Sequence, residues 1–290
     1  MKPPTSFAVG LRTIRLVDTS RTITLANGRT EPRTLLTYVR YPALGPTGAT
    51  DVRNAPAART DGPFPLVLFG HGYALTPAAY AALLESWARS GYVVAAPVFP
   101  LENANAPGGP DESDLSNQPG DMRFVISGML AMSNAPSGLL AGLIDQAKIA
   151  VAGHSDGGDT ALAVAYDRSW RDPRVSAAII LSGAEMPGVE AFTFPSGGPP
   201  LLAIQGTADT VNPPSATQAF FREAQPPKYL LSLLGAEHLP PYSVEQPQLG
   251  IVEHVTISFL NGYLKQKPKA LQELIRLGSV PQIASMLAHP

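Results

Sequence analysis

"KIAVAGHSDGGDTALAVAY", residues 148–166, decides how the rest of the chain is read. An unbroken apolar run ends at Gly153, and helical spacing resumes within a few residues, in "DTALAVAY". Between them Ser155 stands at the apex of a turn flanked by Gly153, Gly157 and Gly158. A strand that stops, turns within one residue and starts a helix holds its apex serine in a strained conformation. Neighbouring strands crowd such a turn, so side chains at 153 and 157 would clash. The Gly-x-Ser-x-Gly pattern alone arises readily by chance. The strand–turn–helix setting gives it meaning.

Outward from this turn, short apolar runs recur without polar alternation at 65–70, 92–97, 175–182, 200–206 and 228–235. Strands covered on both faces read this way, as in a parallel sheet. Helical patterns fall between them at 77–90, 119–133, 156–167, 213–224 and 249–265. That alternation predicts one doubly wound α/β domain over residues 1–290, with a mostly parallel sheet of about eight strands. Two alternating segments, 7–18 and 33–42, precede it. They predict an antiparallel hairpin turning at Asn27-Gly28. The tail, 267–288, reads as a closing helix and a second short one after Pro281. No internal repeat is visible.

Composition narrows the function. Of 290 residues, 44% are apolar, enough for a substantial core, and the formal charge is −2 with 21 scattered basic residues. A nucleic-acid surface needs those charges clustered, so no nucleic-acid partner is expected. The absence of cysteine excludes disulfides, thiolate metal sites and a cysteine nucleophile. No run is long enough to span a bilayer, and the N-terminus lacks a signal-peptide apolar region. The expectation is a soluble monomer, cytoplasmic or secreted with its signal already removed. The polar stretch 100–119, with Asp111, Glu112 and Asp114, reads as a solvated rim loop, because calcium loops need a tighter ligand order.

A serine nucleophile needs a base, and the base an orienting acid. Among five histidines, His154 adjoins the serine and points elsewhere, His71 lies in a βα turn, His254 in a helix and His289 at the terminus. His238, in "LLGAEHLPP", follows the last apolar run at the sheet edge where Ser155 emerges. The acid should fall between them in sequence. Asp209, in "LLAIQGTADTVNPP", does so after a strand and a Gly turn; it also suits helix capping. Glu185 is the alternative acid, and Glu237 faces solvent. For an oxyanion the amide of Asp156 stands at a helix N-terminus, and "HGY" offers that of Tyr73.

With these residues in view, the chain resembles the α/β-hydrolase superfamily over nearly its whole length. "VGLRTIRLVDTSR", "LTYVRYPA", "PLVLFGHG", "NQPGDMRFVI", "GHSDGG" and "GTADTVNPP" are similar to bacterial relatives of platelet-activating-factor acetylhydrolases. "GHGYALT", "GHSDGG", "GTADTVNPP" and "GAEHLPPY" are similar, in order and spacing, to cutinase-like polyester hydrolases. The resemblance implies the α/β-hydrolase fold, the triad Ser155, Asp209 and His238, and oxyanion amides at Tyr73 and Asp156. The chain departs from the polyester hydrolases at Asp156, where they have Met, and in lacking a Trp after the 175–182 run and a terminal disulfide.

Residues 183–199 leave no room for a cap, which predicts an open site suited to short-to-medium acyl or polymeric esters. Tyr73, Phe99, Met186 and Tyr242 are candidates to line it. The implied chemistry requires no metal and no cofactor. The alternatives are a serine peptidase or an acyltransferase or perhydrolase on the same triad, and a non-catalytic binding protein on the same fold.

Overall fold

The computed structural model describes residues 6–48, 50–186 and 192–290. The chain opens with β1 (Ala8–Thr24) and β2 (Thr30–Ala43), an antiparallel pair. Their turn closes through Leu25 N–H to Arg29 C=O, with Gly28 at φ 79°. The hairpin is as expected, although its strands run longer. A two-residue strand, β3 (Val52–Arg53), pairs parallel to β1.

The strand–helix alternation then begins: β4 (Phe64–Gly70), α1 (Ala81–Arg89), β5 (Val93–Val98), α2 (Gln118–Asn134), β6 (Ile144–His154) and α3 (Asp156–Tyr166). It continues through β7 (Val175–Leu181), β8 (Leu201–Gly206), α4 (Pro214–Glu223) and β9 (Lys228–Leu233). The single turn α5 (Pro240–Ser243), then α6 (Gln248–Tyr263), α7 (Pro268–Leu277) and β10 (Ala284–His289) complete the chain. Proline in the first turn of α2, α4 and α7 starts each helix where an amide would go unpaired anyway.

The ten strands among the described residues form one sheet in the order β10-β9-β8-β7-β6-β4-β5-β2-β1-β3. The central strands β4 to β9 pair parallel, as their unbroken apolar runs predicted. Two strands exceed the expected eight. One is short β3. The other is β10, where a helix was expected: Ala284–His289 instead pairs antiparallel with β9 in full register. Its residues alternate, Ala284 buried and Ser285, Leu287 and His289 exposed.

Each sheet face carries its own apolar layer. Met122, Val125 and Ile126 of α2, Leu162 of α3 and Phe220 of α4 pack on one face. Leu83 and Trp87 of α1, Val252 and Phe259 of α6, and Leu274 of α7 pack on the other. Among the described residues no helix is long and apolar enough to cross a membrane.

The 100–119 stretch is solvated at Asp111 and Glu112, as expected, but not at Asp114. Asp114 is 3% exposed and ion-paired to Arg33 of β2, itself 2% exposed. Arg33 Nη1 and Nη2 donate to Asp114 at 2.8 and 2.7 Å, and Nε and Nη2 donate to Asp121 of α2, each at 2.6 Å. Burial opposes the Arg33 charge, but hydrogen bonds to Asp121 and Asp114 outweigh it and hold the guanidinium protonated. The network ties the hairpin to the segment leading into α2.

Candidate active site

Ser155 sits between β6 and α3 at φ 53°, ψ −128°, a strained conformation for a residue with a side chain. Its N–H is fixed by the Leu181 carbonyl at 3.0 Å. The glycines around it have the role the sequence suggested. A Cβ on Gly153 would lie 1.9 Å from the Gly157 oxygen, and one on Gly157 would lie 2.2 Å from the Gly70 oxygen. The elbow is wedged against β4.

Asp209 follows β8 and is 3% exposed. Its two oxygens do different work. Oδ1 accepts the Val211 and Asn212 N–H groups, both at 3.0 Å. Oδ2 accepts from His238 Nδ1 at 2.8 Å and from Gln205 Nε2 at 3.2 Å. One carboxylate therefore meets both the turn amides and the His238 ring. With Nδ1 donating to Asp209, His238 presents Nε2 as the basic nitrogen. Glu185, the alternative acid, is exposed; burial and then the nearby Glu223 raise its pKa. Glu237 is exposed, as expected.

Several braces were not legible in the sequence. His154 Nε2 donates to the His238 carbonyl at 3.0 Å, and its Nδ1 accepts from the Tyr80 hydroxyl at 2.8 Å. The same hydroxyl accepts the Gly72 N–H at 3.2 Å. The residue beside the serine thereby links the loop after β4 to the loop carrying His238. Burial first, then the charge of nearby His238, push His154 down to about 3, so the brace stays neutral. His71 takes a second such role: Nε2 accepts the Phe99 N–H at 3.0 Å and Nδ1 donates to the Gly72 carbonyl at 2.9 Å. Burial lowers His71 to about 4. Only the polar ring nitrogens of these two histidines, each close to a Gly-containing turn, hinted at such work.

Those bonds shape a second feature. A Cβ on Gly72 would stand 3.1 Å from the Ser155 Cβ, so the loop after β4 passes directly over the serine. Among the described residues, the N–H groups of Tyr73 and Asp156 donate to no protein acceptor on another residue. Both lie beside Ser155 in space or sequence, where amides can receive a developing negative charge; that of Asp156 also meets its own carboxylate.

The expected lining is largely corrected. Phe99 and Tyr242 are 0% exposed and Met186 2%. Phe99 packs on the His71 ring, and the Tyr242 hydroxyl bonds Ser182 and the Ile204 carbonyl. Their apolar character belongs to the core. Tyr73, 41% exposed, is the one of the four open to solvent. Among the described residues between β7 and β8 none is helical; 187–191, part of the span read as too short for a cap, lie outside them. No group of metal-ligating side chains occurs among the described residues.

A family model described as chlorophyllase matches residues 54–184, just under half of the chain, which includes Tyr73 and Ser155 and stops before Asp209 and His238. None of the curated proteins matches significantly. Among solved structures, a ferulic acid esterase from Streptomyces cinnamoneus superposes over 98% of both chains with a TM-score of 0.71 at 22% identity.

Proposed function

We propose that this α/β-hydrolase is a serine carboxylic-ester hydrolase that works through an acyl-enzyme. One observation carries the reading: the 2.8 Å bond from His238 Nδ1 to buried Asp209, on a loop that His154, the residue before the strained Ser155, ties to the elbow. Such a pair is what an alcohol nucleophile needs at neutral pH.

In the proposed cycle His238 Nε2 takes the Ser155 proton as Oγ attacks the ester carbonyl carbon. The Tyr73 and Asp156 amides hold the resulting oxyanion, a contribution of about 10²–10³ in kcat for each such donor. Collapse breaks the ester C–O bond, and the alcohol leaves with the proton from His238. Water, deprotonated by the same nitrogen, attacks the acyl-enzyme and releases the acid. The steps use only the chain's own groups and water.

The similarity to a chlorophyllase family and to a structure named as an esterase supports ester chemistry. Tyr73, exposed and next in the chain to Gly72 over the serine, supports access by esters of bulky alcohols or by polymer chains. The test is Ser155→Ala, assayed on p-nitrophenyl esters of graded acyl length and on polyester films, with fluorophosphonate labelling alongside. The expected outcome is a loss of about 10⁶ in kcat and no label, in a protein that melts as the parent does. Activity above a few per cent would reassign the nucleophile.

A further inference from the structure

Glu102 lies on the loop after β5, its side chain fully buried at 0% exposure. Nothing in the proposed cycle uses it. Its Oε2 accepts from Gln118 Nε2 of α2, and Gln118 Oε1 in turn accepts from Thr160 of α3 at 2.8 Å. That leaves Oε1, which is buried without a partner among the described residues; the same is true of Asp156 Oδ2. The two carboxyl groups lie within hydrogen-bonding reach of each other. Two carboxyl oxygens facing one another satisfy each other only when one carries a proton.

The main chain of the same residue points the other way. The Glu102 carbonyl accepts the Ala74 N–H at 2.9 Å, and Ala104 N–H returns to the Leu75 carbonyl at 3.1 Å. Ala74 directly follows Tyr73 and is held at φ 53°. One residue thus grips both segments that carry these amides, β4's loop through its backbone and the start of α3 through its carboxyl.

We propose that Glu102 is the positioning residue of the oxyanion hole: its carbonyl sets the Tyr73 peptide, and its side-chain O–H, donated to Asp156, sets the second amide. The proposal rests on the serine-esterase reading above. The surroundings favour the protonated acid. Burial first, then the Asp156 charge and its hydrogen bond, with Asp114 and Glu112 behind them, push Glu102 up to about 10. Asp159 faces Asp156 from one turn further along α3, while the charge of His238 counters Asp156 from the opposite loop. Arg33 lies beyond Asp114, already paired to it.

The experiment compares Glu102→Gln, Glu102→Ala and the parent on a neutral short-chain ester, with Ser155→Ala as control. Glutamine reproduces both bonds: its carbonyl accepts from Gln118 and its amide N–H donates to Asp156. Glu102→Gln should therefore stay within about threefold of the parent kcat, while Glu102→Ala loses at least about tenfold in kcat with KM little changed. The parent should lose kcat as pH rises towards 10, and the Gln variant should keep it. Stability gives a second readout. The folded chain holds this proton to about 10 while a free carboxyl releases it near 4.5, so the stability it confers is complete below 4.5 and is lost as pH climbs through 10. The Tm of Glu102→Gln should rise relative to the parent between pH 5 and 9. The proposal is overturned if folded Glu102→Ala keeps the parent kcat, if Gln performs no better than Ala, or if both alkaline limbs coincide. Should Glu102→Ala not fold, the Gln pH profile and Tm decide alone. An active Ser155→Ala would overturn the assignment of the serine nucleophile instead, and a parent inactive on esters the esterase reading.

Discussion

Asp209 separates two tasks between its oxygens, and that makes its conservative substitution informative. In Asp209→Asn the amide oxygen can keep accepting from Val211 and Asn212, while the NH2 faces His238 Nδ1. The imidazole then adopts the wrong tautomer, and kcat should fall by about 10⁴ with little change in Tm. Glu185→Gln should change kcat less than threefold; a crippled Glu185→Gln beside an active Asp209→Asn would move the acid one strand earlier. Asp209 was legible in the sequence because strand, Gly turn and acid follow in order. His154 and Glu102 were not. Their partners, Tyr80 and the His238 carbonyl for one and Asp156 and Ala74 for the other, lie on different crossovers, and no local spacing announces them. The substrate-lining residues failed for the opposite reason: an aromatic near a strand end serves the core or the surface equally well, and pattern alone does not separate the two.

At the scale of the element, periodicity carried most of the fold. Runs of Val, Ile, Leu and Ala without alternation gave β4 to β9, and the helix bounds fell within a few residues of expectation. β10 escaped because "ASMLAH" is built of residues that favour helices, while the unpaired edge of β9 offered six residues of backbone to pair with. Tertiary pairing overrode propensity there. The Arg33 network was equally hidden, since Asp114 looked like one of several loop acids. Arg33→Met should destabilise by about 3–5 kcal/mol in urea titrations, because Asp114 and Asp121 would remain buried without that cation. A change below 1 kcal/mol would mean that water replaces the guanidinium.

For the whole molecule, the doubly wound parallel sheet was readable and so was the edge that carries the candidate site, since ligands gather beyond the carboxyl ends of such strands. What was not readable is how tightly that edge is closed upon itself. Gly72 after β4 bonds Tyr80, Tyr80 bonds His154, and His154 bonds the loop of His238. His238 continues to Asp209, Asn212 reaches the Ser182 carbonyl, and Thr217 bonds Gln205 and Gly183. The described loops that carry Gly72, His238, Asp209 and Ser182 are thus latched to one another, through Tyr80, His154 and Asn212. In many enzymes heat silences catalysis several degrees before the fold gives way, because the working loops are drawn from the least stable regions. Latches of this kind should hold the loops in the cooperative unit of the sheet. Heating should therefore abolish activity at the same temperature at which circular dichroism records unfolding, within about 2 °C at matched incubation times. A gap of 10 °C would show the latches parting first. Coincidence would give this chain a catalyst whose working range ends only where its fold does.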